Sequence, residues 1–192
     1  MSEKHDLSWI HLLDDVLGLI VMLVALVSLL ELTISFVYAL EVFSIGLIAM
    51  GIAWLLWSIY VIHKNNYARV FMFLTGIILI AVSVVEFLFV SLPTDLLIMY
   101  PALAMFFVGV SRIALGIWVG DTPLWIQMLQ VLSGILTINL AAFVFIFPGI
   151  SLSTMLILLV ISLIANGLVR LIVGRTDVKR QLIQAKTASE QF

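Results

Sequence analysis

Cysteine is missing from this chain and charge is scarce, with nine Lys or Arg and eleven Asp or Glu in 192 residues. Without cysteine there is no disulfide framework, no thiolate metal ligand and no thiol nucleophile. The same absence leaves the redox compartment open. A formal charge of −2 gives no electrostatic footprint for nucleic acid. Histidine is limited to His5, His11 and His63. There is no phosphate loop, no GxGxxG, no HExxH and no GxSxG. No catalytic residue and no cofactor is therefore expected, and an enzyme ranks last among the readings. His5, His11, Asp14 and Asp15 cluster ahead of the first apolar run, but their spacing fits no metal motif, so no metal is expected.

What is abundant is apolar surface. The chain is 64% hydrophobic and 10% charged, with a mean hydropathy of +1.29. Soluble domains are roughly 45–50% apolar and about 25% charged. A fold of this size cannot hide so much apolar surface from water, so its solvent is lipid. The leading residues, MSEKHDLSWIHLLDD, are mixed in charge. They are read as the approach to a retained first membrane helix and not as a signal peptide.

Glycine carries the organisation. Gly18, Gly76 and Gly134 stand 58 residues apart, and so do Gly51, Gly109 and Gly167. The two columns predict three tandem copies of one unit, at about 8–65, 66–123 and 124–180, with a polar tail over 175–192. Each unit holds two apolar stretches of about 20 residues, enough to cross a bilayer as a helix. The expected spans are 12–32, 39–62, 69–90, 97–119, 125–147 and 152–174. Turns are expected at Thr33–Phe36, at Ser91–Asp95 and at Phe147-Pro148-Gly149. The expected fold is an all-α membrane protein of six transmembrane helices, in a single polytopic domain. An even number of spans per unit makes the repeats parallel, with a pseudo-threefold axis along the membrane normal.

Under this topology all nine Lys and Arg fall on one side, while Glu31, Glu41, Glu86 and Asp95 fall on the other. The positive-inside rule then puts both termini in the cytoplasm. Trp9, Trp54, Trp57, Tyr60, Trp118 and Trp125 gather at that boundary as an aromatic belt. His63, Lys64 and Arg69 form a short basic loop that suits anionic lipid.

The second helix of each unit carries a pattern at i, i+3 and i+7. It reads Gly109, Arg112, Gly116 in the second unit and Gly167, Arg170, Gly174 in the third. In the first it reads Gly51, Trp54, Ser58. Small residues on one stripe let membrane helices approach closely. Arg112 and Arg170 lie near a helix end, where snorkelling toward lipid phosphates is expected. Trp54 in place of a third arginine argues against an arginine ring. Three residues break the repeat: Glu86, whose counterparts are Ser28 and Val144, and Asn139 and Asn166 near mid-span. Glu86 is a candidate proton-responsive group, with a headgroup-reaching side chain as the plainer reading. For Asn139 and Asn166 a buried interhelical hydrogen bond is expected, and a polar lining is the alternative.

The third unit reads Leu132-Ser-Gly-Ile-Leu, then Phe147-Pro-Gly-Ile-Ser-Leu-Ser, then Ala165-Asn-Gly-Leu-Val-Arg-Leu-Ile. This resembles the short-repeat membrane domain of the HdeD-like family. The second unit keeps Thr75-Gly-Ile-Ile-Leu and Gly109-Val-Ser-Arg, with Pro93 shifted in the turn. The first keeps only the glycines. The resemblance spans about residues 12–175 and implies six helices in the plasma (inner) membrane, with a role in acid resistance. It supplies no catalytic residues. The leading functional expectation is a non-enzymatic stress-response membrane protein. An accessory subunit of a larger membrane complex is second, and a small channel or transporter is third. The lipid bilayer is the one partner that composition requires.

Overall fold

The computed structural model describes residues 3–60, 66–88, 93–118, 123–147 and 150–189. Side-chain surroundings are described for these except at 3–14, 60, 94, 95, 174 and 176–189. Among the described residues there are six α-helices and no strand: α1 (Glu3–Glu31), α2 (Phe36–Tyr60), α3 (Asn66–Leu88), α4 (Thr94–Trp118), α5 (Leu124–Ile146) and α6 (Leu152–Ser189). Helix is what apolar surroundings demand, since it bonds every interior N–H and C=O within one segment. Five helices are long and apolar enough to cross a membrane: Phe36–Ile59, Asn66–Leu88, Leu96–Trp118, Leu124–Ile146 and Leu152–Val173.

The helix ends are set by local chemistry. Between α1 and α2 the chain turns at Leu32–Ser35, and Thr33 Oγ1 donates to the Leu30 carbonyl at 2.7 Å. The carbonyl of Pro93 opens α4 by accepting from Leu96 and Leu97, and that of Pro123 opens α5 by accepting from Ile126 and Gln127. Proline suits these positions because it needs no backbone partner for its nitrogen. The expected turn at 91–95 lies largely outside the described residues, as do Pro148, Gly149 and the loop with His63 and Lys64. The polar tail continues α6 without a break to Ser189.

Packing separates the helices into two classes. α2, α4 and α6 touch one another, and α1, α3 and α5 fill the flanks between them. About half of each inner span is buried (50% for α2, 56% for α4 and for α6), against 33% for α3 and for α5. The inner helices bury a row with alternating steps of three and four residues. Along α2 this row is Leu40, Phe43, Leu47, Met50 and Trp54. Along α4 it is Ile98, Pro101, Met105, Val108, Arg112 and Leu115, and along α6 it is Leu156, Leu159, Leu163, Asn166, Arg170 and Val173. A step of 3.5 residues keeps one seam facing the partner helices, as in a coiled coil.

The flanking helices are fastened by glycine. A Cβ on Gly76 would lie 2.9 Å from the Gly51 carbonyl oxygen, and one on Gly134 would lie 2.6 Å from that of Gly109. One on Gly18 would lie 3.3 Å from that of Gly167. These crossings join α2 to α3, α4 to α5, and α6 back to α1. No glycine among the described residues has positive φ, so these glycines serve approach and not backbone freedom. Gly116 makes a further close approach, at 2.8 Å from the Gln127 carbonyl oxygen. Gly46, outside both columns, fits against Leu163 and Val24. The surroundings of Gly174 lie outside the described side chains.

Candidate functional site

One layer of the axis is polar. The buried rows of the inner helices bring Trp54, Arg112 and Arg170 to the same level, at the end of the bundle where α2 and α4 finish. The guanidinium carbon of Arg112 lies 5.7 Å from the Trp54 ring centroid, and that of Arg170 lies 5.4 Å from it. Both distances suit attraction of a cation to the face of an indole. Arg112 Nη2 donates to the Asn166 carbonyl at 2.7 Å. Arg112 is 3% exposed and Arg170 is 5% exposed. The expected snorkelling is thus corrected: helix phase turns both side chains inward, and only Arg112 stands close to a helix end, since α6 runs on past Arg170 to Ser189.

Below this layer the axis is apolar except for Asn166. Its amide nitrogen donates to Thr137 Oγ1 on α5 and to the Ser162 carbonyl, each at 2.8 Å. Beyond the layer, toward the helix ends, lies a cavity of about 20 Å³. Its polar lining is Trp54, Trp57, Arg112, Arg170 and, from α5, Gln130. Trp54 Nε1 and Trp57 Nε1 are buried and meet no hydrogen-bond acceptor among the described residues. A cavity of this size holds one water-sized group.

Glu86 is buried in α3 and hydrogen-bonds Ser44 Oγ on α2. Ser44 Oγ also lies 3.0 Å from the Leu40 carbonyl oxygen. A void of about 10 Å³ adjoins the pair, next to Glu41, Phe87 and Leu97. Glu86 therefore joins two helices inside the bundle instead of reaching toward headgroups. Thr75 and Ser111 hydrogen-bond across α3 and α4, and Ser28 Oγ donates to the Ala39 carbonyl across α1 and α2 at 2.7 Å.

Asn139 parts company with Asn166. It is exposed, and its amide donates to the Ile135 carbonyl of its own helix at 2.9 Å. Among the described residues the interhelical bond expected there is absent, because residue 139 falls on the outward face with Leu132 and Leu136. The side chains of His5, His11, Asp14 and Trp9 lie outside the described residues. Among those that are described, no group of three His, Cys, Asp or Glu is placed to hold a metal.

Sequence reading missed three participants in the polar layer. Gln130 reaches the cavity from a position that no motif marks, Trp57 reaches it from the expected aromatic belt, and Trp54 belongs both to that belt and to the arginine column. The alternating three-and-four step at 40, 43, 47, 50, 54 and 57 is the signal that points Trp54 and Trp57 at the axis. No protein-family model, no curated protein and no solved structure matches the chain.

Proposed function

We propose that the chain is a non-enzymatic, multi-pass membrane protein of the HdeD-like kind, acting in stress or acid resistance. In this reading six spans form three parallel hairpins about a pseudo-threefold axis. Both termini face the cytoplasm, from the plasma (inner) membrane. Two features support the repeat. The buried axial positions recur at intervals of 58, as in Leu47, Met105 and Leu163. Each glycine crossing joins the second helix of one unit to the first helix of the next.

The observation that carries the functional reading is the filled axis. Leu47, Met105 and Leu163, then Met50, Val108 and Asn166, are all 0% exposed. Such layers leave no room for a continuous polar path, which ranks a channel or transporter lower. A sealed bundle in which polar ties join α1 to α2, α2 to α3, α3 to α4, α4 to α6 and α5 to α6 suits a protein that works by its presence in the membrane. The test is proton flux in liposomes containing the purified chain, alongside acid survival of cells with and without the gene. Background flux with reduced survival on deletion is expected. Flux above that of empty liposomes would replace this reading with a transporter.

One observation favours an accessory subunit as the second reading. Asn139 presents an amide on a lipid-facing stripe with Leu132, Leu136 and Phe143. A polar group in a span commonly bonds across to a neighbouring helix. Co-purification of larger membrane proteins in mild detergent, lost in Asn139→Leu, would make the accessory role the correct one.

A further inference from the structure

We propose that the cavity at the end of the axis is a binding site for one monatomic anion of the halide class. The inference rests on the geometry of the polar layer and not on the family resemblance. Five side chains converge on the cavity with hydrogen-bond donors: Trp54, Trp57, Arg112, Gln130 and Arg170. Guanidinium and indole groups donate and cannot accept. The amide oxygen of Gln130 is the one side-chain acceptor among the described lining residues. A water molecule placed here would have to find acceptors for its own two hydrogens. An anion without hydrogens suits a donor-rich wall better.

Two independent observations point to a missing acceptor. Trp54 is 1% exposed, and its Nε1 has no acceptor among the described residues. Trp57 Nε1 is in the same position beside it. A buried donor without a partner is disfavoured, so a guest that accepts from both indoles removes a real penalty. Charge points the same way. The two guanidinium groups that share the Trp54 indole also line the cavity and make its wall basic. Size favours a small guest, because about 20 Å³ is room for one small sphere.

The layer also explains the first unit's departure from the arginine pattern. A third arginine at position 54 would crowd the layer with cation. Tryptophan there supplies a π face for two cations and an N–H for the guest.

The test uses the full chain in detergent or nanodiscs with ¹⁵N-labelled indoles. Sodium chloride is titrated against sodium gluconate at constant ionic strength. The Trp54 and Trp57 indole resonances are expected to shift and saturate, while those of the exposed Trp118 and Trp125 stay in place. Arg170→Gln is expected to weaken halide binding at least tenfold. Trp57→Phe, which alters a half-buried position and should fold, is expected to weaken it several-fold. Bromide soaked into crystals should give one anomalous peak in the cavity. No saturable shift, equal shifts at all indoles, or unchanged affinity in Trp57→Phe would overturn the proposal.

Discussion

Alanine at the glycine crossings should sort by distance, and the order can be worked out in advance. A Cβ at residue 134 lies 2.6 Å from the Gly109 carbonyl oxygen and 2.8 Å from Ile113 Cγ1. Ordinary van der Waals contact begins near 3.4 Å, so α4 and α5 must part by about 0.8 Å. The carbonyl belongs to a helix backbone and cannot rotate away. Overpacking of this kind costs about 1–3 kcal/mol. Alanine regains about 1 kcal/mol of helix propensity over glycine, which leaves Gly134→Ala destabilising by up to about 2 kcal/mol. At residue 18 the nearest atoms, the Gly167 carbonyl oxygen and two atoms of the Leu171 side chain, stand at 3.3 Å. Only a small shift is needed there, so the propensity gain dominates and Gly18→Ala should be neutral or stabilising by up to about 1 kcal/mol. Denaturant unfolding in mild micelles, followed by tryptophan fluorescence, reads both. Gly109→Ala combined with Gly134→Ala should be less destabilising than the two summed, since both force open one crossing. Equal effects at residues 18 and 134, or a stabilising Gly134→Ala, would refute the idea that backbone contact sets the crossings.

Other expectations follow from the polar groups. Trp54→Ala should destabilise by about 3–5 kcal/mol, because it empties the largest fully buried side chain, while Trp54→Phe keeps a π face and should lose less than half of that; thermal melts of the two variants check the order. Asn166→Leu should lower stability by about 1 kcal/mol through loss of the Thr137 contact, and Asn139→Leu should change it little, since that amide bonds only its own helix. Glu86→Gln retains a group able to bond Ser44 and should stay within about 1 kcal/mol of wild type, whereas Glu86→Ala should cost more by leaving a hole between α2 and α3. Gly167→Leu and Gly109→Leu should fail to yield a monodisperse protein on size-exclusion chromatography.

Much of this fold could be read from the chain. The apolar runs, the prolines at 93 and 123 that open α4 and α5, and the two glycine columns all point to helices that meet at small residues. The partner of each glycine was not legible. Spacing alone allows Gly51 to meet Gly18, but it meets Gly76. That choice depends on how six helices share space, which spacing along one strand of sequence does not carry. The arginines show a different gap. Position near a helix end suggested snorkelling, while phase decided burial: Arg112 lies on one row with Val108 and Leu115, and both are buried. The same distinction separates Asn166 from Asn139. Ser44 could not have been tied to Glu86, because the pair is 42 residues apart and joined only by packing.

α1 closes the bundle against α6 and leaves α2, α4 and α6 to fill the axis. Because the chain has no cysteine of its own, a pair introduced as Met22→Cys and Gly167→Cys reports on that closure alone. A Cβ at residue 167 lies 2.7 Å from Met22 Cγ, within reach of a disulfide. Oxidation in membranes should give a fast-migrating, intramolecularly bridged monomer. The control pair Met22→Cys and Gly109→Cys, on α1 and α4, which do not touch, should remain reduced. An unbridged first pair, or bridging only between two chains, would contradict the closed bundle and the axial layer built on it.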